Sequence, residues 1–274
     1  MSKFDISVLM SIYHSDNPNY LRASLESLKN QTVRANEVVI VFDGMLNSEL
    51  YDIVDKYRTS LNIITLQNNE NKGLAVSLND GLRLVHCDLI ARVDADDISR
   101  QDRFEKQVKC FQDSSNSPDI VGGYVREFSE NLQNLRSIRK VPDNMEKIKE
   151  FAKYRSPLNH PTVMMKTSVL KKLGGYPENF NRLEDYALWI YMLSQYYIVT
   201  NIPEILVYMR ISNETYVRRG GLEQAKAFVR LRKEMFRIGY LNWMEMFLGI
   251  ILSVSISLVP GKIRGIVYKV LRNL

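Results

Sequence analysis

Four strand-like apolar runs alternate with helix-like amphipathic segments in the first part of the chain, and this alternation constrains the fold most. The runs cover Ile6–Tyr13, Glu37–Phe42, Leu61–Leu66 and Leu89–Val93. The segments between them carry apolar residues at helical spacing, from about 20 to 31, from about 48 to 57, and in a third helix ending near 85. This order predicts an α/β domain built on a parallel, right-handed, doubly wound sheet.

Three carboxylates, Asp94, Asp96 and Asp97, follow directly after the fourth run. Side chains alternate along a strand, so Asp94 and Asp96 are expected to point the same way where the strand ends. Two carboxylates this close repel each other, and a hard divalent cation such as Mg²⁺ or Mn²⁺ would offset that repulsion and also bind substrate phosphates. The alternative is an ordinary acidic turn in which Asp97 caps a following helix. The residues alone leave both interpretations open.

Other polar residues end the neighbouring runs. Tyr13 ends the first run and Asp43 follows the second. Ligands of doubly wound sheets bind beyond the carboxyl ends of the strands, so Tyr13, Asp43, Asp94 and Asp96 are expected to line one binding edge.

The second half of the chain offers two further candidate positions. Glu184 and Asp185 begin an apolar helix, where the helix dipole alone would also favour carboxylates. His160 precedes a proline. It either contacts a ligand or is a turn residue whose ring has a hydrogen-bond partner within the protein. The sequence pattern alone does not decide the role of the Glu184–Asp185 pair or of His160.

Composition and charge narrow the class of protein. An apolar share of 45% and a charged share of 25% in 274 residues are typical of a globular protein. Two cysteines give neither a disulfide framework nor a zinc-binding spacing and suggest a reducing compartment. The N-terminus runs straight into a strand, so we expect no signal peptide. We also expect no nucleic-acid partner.

The basic character belongs to the C-terminal part of the chain. Residues 218–274 hold eleven Lys and Arg against three Glu, a net charge of +8, which leaves −2 for residues 1–217. The run Met246–Val259 has no charge and, as a helix, would span about 21 Å, less than the ~30 Å hydrocarbon core of a bilayer. Lys262, Arg264, Lys269 and Arg272 follow it. The pattern predicts a helical tail, residues 218–274, lying on an anionic membrane surface; the alternative is a core helix followed by an exposed basic one.

Several short motifs occur together in a recognisable order. They are Ile6–Tyr13, Val39–Gly44, Asn71–Gly73 with Asn79 and Gly81, Val93–Asp97, Gly174–Tyr176 and Glu184–Tyr186. Over residues 5–215 this succession resembles the inverting family 2 glycosyltransferases. The segments Asn159–Met164 and Glu184–Trp189 resemble the bacterial members that build O-antigen or capsule repeat units.

The resemblance implies a GT-A nucleotide-sugar-binding fold, Rossmann-like with a mostly parallel sheet, in residues 1–217. On the donor side it implies that Asp43 reads the uracil ring with Tyr13 stacked beside it, and that Lys72 also contacts the nucleotide sugar. It makes Asp94 a ribose or metal contact and Asp96 a direct ligand of Mn²⁺ or Mg²⁺. Arg210 corresponds to a basic residue near the diphosphate.

On the acceptor side the resemblance makes Asp185 the general base, with Glu184 supporting it, and His160 a contact to the acceptor or the diphosphate. Two positions depart from the family pattern. Ser212 stands where many relatives carry a histidine ligand, and Leu78 stands where others carry an arginine.

The activity implied is transfer of a hexose, glucose or galactose, from a UDP-sugar to GlcNAc- or GalNAc-diphosphoundecaprenol through a β-1,3 linkage. The enzyme would act as a peripheral protein at the cytoplasmic face of the bacterial inner membrane. Two other classes stay open: a haloacid-dehalogenase-like phosphatase, and a catalytically silent protein that binds nucleotide sugars or the membrane surface. The phosphatase would need its Asp-x-Asp motif near the N-terminus, whereas Asp94 lies in mid-chain.

Overall fold

The computed structural model describes residues 4–112, 117–180, 182–212 and 220–259. Its first four strands form a parallel half-sheet in the order β3-β2-β1-β4. They are β1 (Ile6–Ile12), β2 (Glu37–Phe42), β3 (Ile63–Gln67) and β4 (Leu89–Arg92), joined by α1 (Pro18–Lys29), α2 (Ser48–Leu61) and α3 (Leu74–Leu82). The α/β alternation predicted from the sequence is confirmed, and β1 and β2 are buried on both faces, which explains their continuous apolar runs.

The second half of the sheet is mixed. It comprises β5 (Ile98–Ser99), β6 (Ile120–Phe128), β7 (Leu135–Arg139), β8 (Met164–Lys166) and β9 (Val199–Arg210). The order continues β4-β8-β6-β9-β5, with β7 paired to β6. The three-residue β8 lies antiparallel to both β4 and β6, whereas β6 and β9 pair parallel, so beyond β4 the sheet is mixed and the prediction of a purely parallel, doubly wound sheet is wrong there.

Helices cover both faces of the sheet. Those of the second half are α4 (Arg103–Gln112), α5 (Met145–Phe151), α6 (Thr167–Lys172), α7 (Glu184–Ser194), α8 (Leu222–Arg237) and α9 (Trp243–Leu258). Leu9 and Val39 pack into one hydrophobic cluster with α3 and α7, whereas their neighbours Val8 and Ile40 pack on the opposite face with α1, α2 and α4. This is the three-layer arrangement expected when side chains alternate across a buried sheet.

A buried polar network fixes the loop that follows β4. The guanidinium of Arg103 donates to the Arg92 carbonyl at 2.8 Å and to Ser99 Oγ at 3.0 Å. Gln107 accepts from Arg103 at 3.1 Å and donates to the carbonyls of β6 and of the 160–162 turn at 2.9 and 2.8 Å. Burial lowers the pKa of Arg103 to about 9, with a further contribution from the charge of Arg92. The network ties the carboxylate loop to the middle of the sheet.

The last two helices pack against each other and against the domain. α8 places Leu231 and Met235 in the same hydrophobic cluster as α7. α9 begins at a capping box formed by Asn242 and Glu245, and Glu245 also lies 2.8 Å from Lys153 near α5. The boundary proposed at residue 217 and the four cations from Lys262 onward lie outside the described residues.

Large apolar side chains of α9 face outward. The side chains of Trp243, Met244, Phe247, Leu248, Ile251, Leu252 and Leu258 are between 48% and 65% exposed. The inner face is built from small residues, Gly249, Ser253 and Ser257, which are buried. The alternative of a buried core helix is therefore wrong for this segment. Within the described part of the chain, no helix has both the length and the apolar character that crossing a bilayer requires.

Candidate active site

The carboxyl ends of β1, β2 and β4 bring the predicted polar residues to one edge of the sheet. Ile12 is in register with Phe42, so Tyr13 and Asp43 leave the sheet side by side, and the Asp43 N–H donates to the Ile12 carbonyl at 2.8 Å. Leu9 is in register with Arg92, which places Asp94 beyond the same edge. The expected meeting of these residues is confirmed.

Asp43 anchors the loop that precedes α3. Its side chain is buried, and its two oxygens accept from the backbone N–H groups of Lys72 at 2.7 Å and Gly73 at 3.0 Å. Gly44, at φ +85°, brings the backbone so close to Asn71 that a Cβ would lie 2.9 Å from the Asn71 nitrogen. A carboxylate has about four acceptor positions, so Asp43 retains capacity for a ligand N–H. The Lys72 side chain lies 3.4 Å from Asp80.

Asp94 is paired with a buried arginine that the sequence analysis did not single out. Arg92 Nη2 lies 2.5 Å from Asp94 Oδ1, and Arg92 is 1% exposed. Burial opposes its charge, but Asp94 and the neighbouring Tyr176 and Asp97 raise the pKa of Arg92. Among the described residues, its Nε and Nη1 have no hydrogen-bond partner. The sequence did contain a signal for this buried arginine, because Arg92 interrupts the apolar run Leu89–Val93.

Asp97 holds the loop to β9 instead of capping a helix. Its Oδ1 accepts from the backbone N–H of Arg210 at 2.8 Å, and the next element is the short strand β5. The capping alternative is therefore wrong, because α4 begins only at Arg103. Burial, together with the charges of Asp96 and Asp94, raises the pKa of Asp97 well above its usual range.

Arg210 supports the same loop through backbone contacts. Its Nε donates to the Asp96 carbonyl at 3.1 Å, and its Nη1 donates to the Glu130 carbonyl at 2.5 Å. The guanidinium carbon lies 3.7 Å from the ring centre of Tyr20 and 4.4 Å from that of Phe128. Cations stack favourably on aromatic faces, so these rings hold Arg210 in place beside the carboxylates.

The Glu184–Asp185 pair lies in the first turn of α7, as expected. Glu184 is 8% exposed, and its Oε2 has no hydrogen-bond partner among the described residues. Burial and the charge of Asp185 raise the pKa of Glu184 to about 7. Asp185 is more accessible than Glu184. The pair thus offers one accessible carboxylate backed by a buried acid.

Tyr176 lies within electrostatic range of Asp94 and of the Glu184–Asp185 pair. Burial raises the pKa of its phenol, Arg92 opposes this, and the charges of Asp185, Glu184 and Asp94 add to it. His160 Nε2 lies 3.0 Å from the Tyr176 hydroxyl, so its ring has a partner within the protein. Burial and the charge of Arg92 lower the pKa of His160 well below its usual value.

A clamp from α3 holds Tyr176. Asn79 accepts from the Tyr176 N–H at 2.7 Å and donates to the Tyr176 carbonyl at 2.8 Å. Gly175 has φ +88°, and a Cβ there would lie 2.2 Å from Asn79 Oδ1, so the clamp requires glycine. The Gly174–Tyr176 motif was the sequence signal, although the role of Tyr176 was not predicted.

The residues at the sheet edge fit a divalent cation with few protein ligands. Asp94 and Asp96 supply hard oxygen donors, and Arg92 occupies only one oxygen of Asp94. In the described ranges, no group of three or more His, Cys, Asp or Glu could hold a metal. Mg²⁺ and Mn²⁺ commonly complete such a site with water and substrate phosphate oxygens.

Comparison with known proteins assigns the chain to a family. A family model described as Glycosyl transferase family 2 matches residues 7–174. The chain belongs to glycosyltransferase family 2. This supports the glycosyltransferase interpretation and neither the phosphatase nor the silent binding protein.

Curated relatives of this glycosyltransferase match along nearly its whole length. UDP-Gal:alpha-D-GlcNAc-diphosphoundecaprenol beta-1,3-galactosyltransferase from Escherichia coli is 37% identical over 263 residues, covering 96% of this chain and 94% of that protein. The amylovoran biosynthesis glycosyltransferase AmsE from Erwinia amylovora is 29% identical, covering 96% and 97% of the two chains. The O-antigen biosynthesis glycosyltransferase WbnJ from E. coli is 31% identical, covering 77% and 81%.

Solved structures share the fold of this glycosyltransferase. S. aureus TarS 1–349 in complex with UDP-GlcNAc superposes with a TM-score of 0.66 at 20% identity, covering 90% of this chain and 70% of that one. The chain spans 43% of the longer TarS structure. The mannosyltransferase PcManGT from Pyrobaculum calidifontis, in complex with GDP-Man and Mn²⁺, gives a TM-score of 0.65 at 16% identity, covering 85% and 64%. At these identities the likeness establishes the GT-A-like α/β fold.

Proposed function

We propose that this glycosyltransferase moves glucose or galactose from a UDP-sugar to GlcNAc- or GalNAc-diphosphoundecaprenol, with inversion and through a β-1,3 linkage. The observation that carries the chemistry is the placement of Asp94 and Asp96 directly after β4 and of Glu184 and Asp185 in the first turn of α7, with Asp94, Glu184 and Asp185 all acting electrostatically on Tyr176. The choice of substrates is supported by the 37% identity to the E. coli galactosyltransferase over 96% of this chain.

On the donor side, Asp43 receives the uracil N–H with its remaining acceptor capacity, and Tyr13 stacks beside the ring. Asp94 and Asp96 hold Mn²⁺ or Mg²⁺, which would supply positive charge at the departing diphosphate. Two cations add positive charge on this side. Lys72 lies in the loop that Asp43 anchors, and Arg210 donates to the Asp96 carbonyl.

On the acceptor side, Asp185 removes the proton of the attacking hydroxyl. The oxygen then bonds to the sugar C1 on the face opposite UDP, so the configuration inverts. Glu184, with its pKa raised to about 7, is partly protonated at neutral pH and therefore limits the negative charge beside Asp185. In this proposal His160, whose ring is held by Tyr176, contacts the acceptor or the diphosphate.

We also propose that α9 lies in the interface of the membrane that carries the acceptor, at the cytoplasmic face of the bacterial inner membrane. Its outward face exposes a tryptophan, a phenylalanine and several aliphatic side chains, which suits burial at the headgroup boundary. Anionic lipids would attract the basic C-terminal part of the chain.

The test uses the purified full chain with UDP-Gal or UDP-Glc and a short-chain lipid carrying GlcNAc-diphosphate. We expect stoichiometric release of UDP and a β-1,3-linked disaccharide, identified by NMR from the anomeric coupling and the linkage shift. An α-linked product would contradict inversion. Absence of transfer from either donor to GlcNAc- and GalNAc-diphosphate lipids would overturn the proposal.

A further inference from the structure

A shallow, open groove of about 480 Å³ runs between α8 and α9, and its lining residues include none of the catalytic carboxylates. Its walls combine two kinds of side chain. Leu222, Val229 and Val254 supply an apolar surface, and Lys226, Arg230 and Lys233 supply three cations. The cations are spaced four and three residues apart, so they lie on one side of α8.

Positive charge exceeds negative charge at this groove. Within the described residues, the one acid within ion-pair distance of the three cations is Glu223, 2.8 Å from Lys226. The other acid of α8, Glu234, pairs with Arg237 at 2.6 Å. Arginine and lysine bind phosphate oxygens well, so the groove suits an anion that also carries an apolar chain.

The apolar wall continues onto the exposed face of α9. Val254 belongs to the same helix as Ile251 and Leu258, which are 49% and 54% exposed. A hydrocarbon chain leaving the bilayer along α9 would therefore reach the cations without crossing a polar surface.

One of the three cations, Arg230, contacts the turn that precedes the catalytic pair. Arg230 Nη1 donates to the Asn179 carbonyl at 2.6 Å, in the 3-10 turn Glu178–Phe180. In the same turn, Glu178 accepts at 2.9 Å from Asn79, the residue that clamps Tyr176. This turn leads directly to Glu184 and Asp185 at the start of α7. An anion held at Arg230 would thus sit beside the turn that precedes the base in the chain.

We infer that the groove binds the diphosphate and the first isoprene units of the lipid-linked acceptor. The inference rests on the proposed function for the identity of that acceptor. A phospholipid headgroup offers similar phosphate chemistry, but its binding would not require Arg230 to contact the turn before Asp185. The outward face of α9 already supplies a surface for the bilayer.

The test compares the wild type with the triple variant Lys226→Gln, Arg230→Gln, Lys233→Gln. The matched control replaces three exposed lysines elsewhere, Lys56→Gln, Lys140→Gln and Lys172→Gln. With a GlcNAc-diphosphate lipid in detergent, we expect KM for the acceptor to rise about 10- to 100-fold in the triple variant only. The KM for the donor and the thermal midpoint should stay close to wild-type values.

Binding of farnesyl diphosphate to the full chain, measured by calorimetry, gives a readout that does not depend on transfer. We expect its affinity to fall by a similar factor in the triple variant, and Lys233→Glu alone to weaken it. If the wild type transfers no sugar, the proposed function fails. The titration still shows whether the groove binds a diphosphate that carries an isoprenoid chain. Three results would overturn the inference: no binding of farnesyl diphosphate to the wild type, equal behaviour of triple and control variants, or loss of binding to anionic vesicles with an unchanged acceptor KM in detergent.

Discussion

At the scale of single residues, the site depends on how charge is distributed around Arg92. This buried cation pairs with Asp94 and also acts on Tyr176, His160 and Glu184. A single buried positive charge thus acts both on the loop after β4 and on the start of α7. A buried arginine of this kind is hard to identify from sequence, because arginine is usually a surface residue.

The role proposed for Asp185 can be tested by Asp185→Asn. The amide keeps the shape of the side chain but cannot take up the proton, so kcat should fall on the order of 10²–10⁴-fold. UDP affinity, measured by calorimetry, should change little, and Glu184→Gln provides the neighbouring comparison. A collapse of UDP affinity with kcat retained would make Asp185 a donor contact.

Glu184 should make stability depend on pH. Its pKa in the fold, about 7, lies above the ordinary 4.5, so its stabilising contribution is complete below pH 4.5 and is lost as pH rises through 7. Glu184→Gln removes this pH-dependent loss of stability. Between pH 5 and pH 8, the free energy of unfolding of the variant should therefore rise by up to about 3 kcal/mol relative to that of the wild type. Urea unfolding across that range measures it, with Glu49→Gln, an exposed residue in the first turn of α2, as the control. A difference that is constant with pH would contradict the assignment.

The carboxylate loop should require a divalent cation. Treatment with EDTA should abolish transfer, and Mn²⁺ should restore it, because Asp94 and Asp96 need a counter-charge when the diphosphate binds. Asp96→Ala should weaken Mn²⁺ binding, measured by paramagnetic relaxation, while the protein stays folded; Asp52→Ala on α2 serves as the control. Full turnover in EDTA would remove the metal from the proposal.

At the scale of elements, the strands and helices of the first half follow from periodicity alone. β1, β2 and β4 end within about one residue of their predicted ends, since long apolar runs leave little freedom. The two-residue β5 and three-residue β8 carry no readable period, and their pairing depends on distant strands. That is why Asp97 was taken as a possible helix cap. Tyr176 was overlooked for a related reason: its position depends on Asn79, 97 residues away.

The clamp between α3 and the 174–176 turn offers a matched pair of variants. Gly174 and Gly175 both have positive φ, +82° and +88°, but only at Gly175 would a Cβ collide with Asn79. Gly174→Ala should cost about 1 kcal/mol of backbone strain, and Gly175→Ala should cost more and also lower kcat through Tyr176. Thermal melts and steady-state kinetics measure both effects. Equal losses of stability in the two variants would show that the turn shifts to avoid the contact between the new Cβ and Asn79.

At the scale of the whole molecule, the two C-terminal helices that the structure describes pack onto the domain. α8 enters the hydrophobic cluster beneath α7, and Lys153 bridges to Glu245 at the start of α9. Sequence periodicity indicated the apolar run of α9 but not this attachment, which uses small residues and a distant ion pair. The outward face of α9 is left exposed as a consequence.

Replacing part of that face should separate membrane binding from folding. Phe247→Ser, Leu248→Ser and Ile251→Ser together remove exposed apolar area, so sedimentation with anionic vesicles should fall at least tenfold. The thermal midpoint and transfer to a detergent-dissolved acceptor should stay close to wild type. As a comparison, Gly249→Leu should destabilise the fold, because a Cβ there already lies 3.1 Å from Arg232. Unchanged sedimentation of the triple variant would contradict the proposed membrane contact.

The ion pair and packing that attach α9 have a geometric consequence. If α9 rests on the bilayer, the Lys153–Glu245 ion pair and the packing of α8 hold the catalytic edge at one constant height above the lipid. A hydroxyl on the first sugar of a membrane-anchored chain reaches that height, whereas the end of a longer glycan extends beyond it. The enzyme would then select its acceptor by glycan length. It would add one sugar near the lipid and leave later extensions to other enzymes.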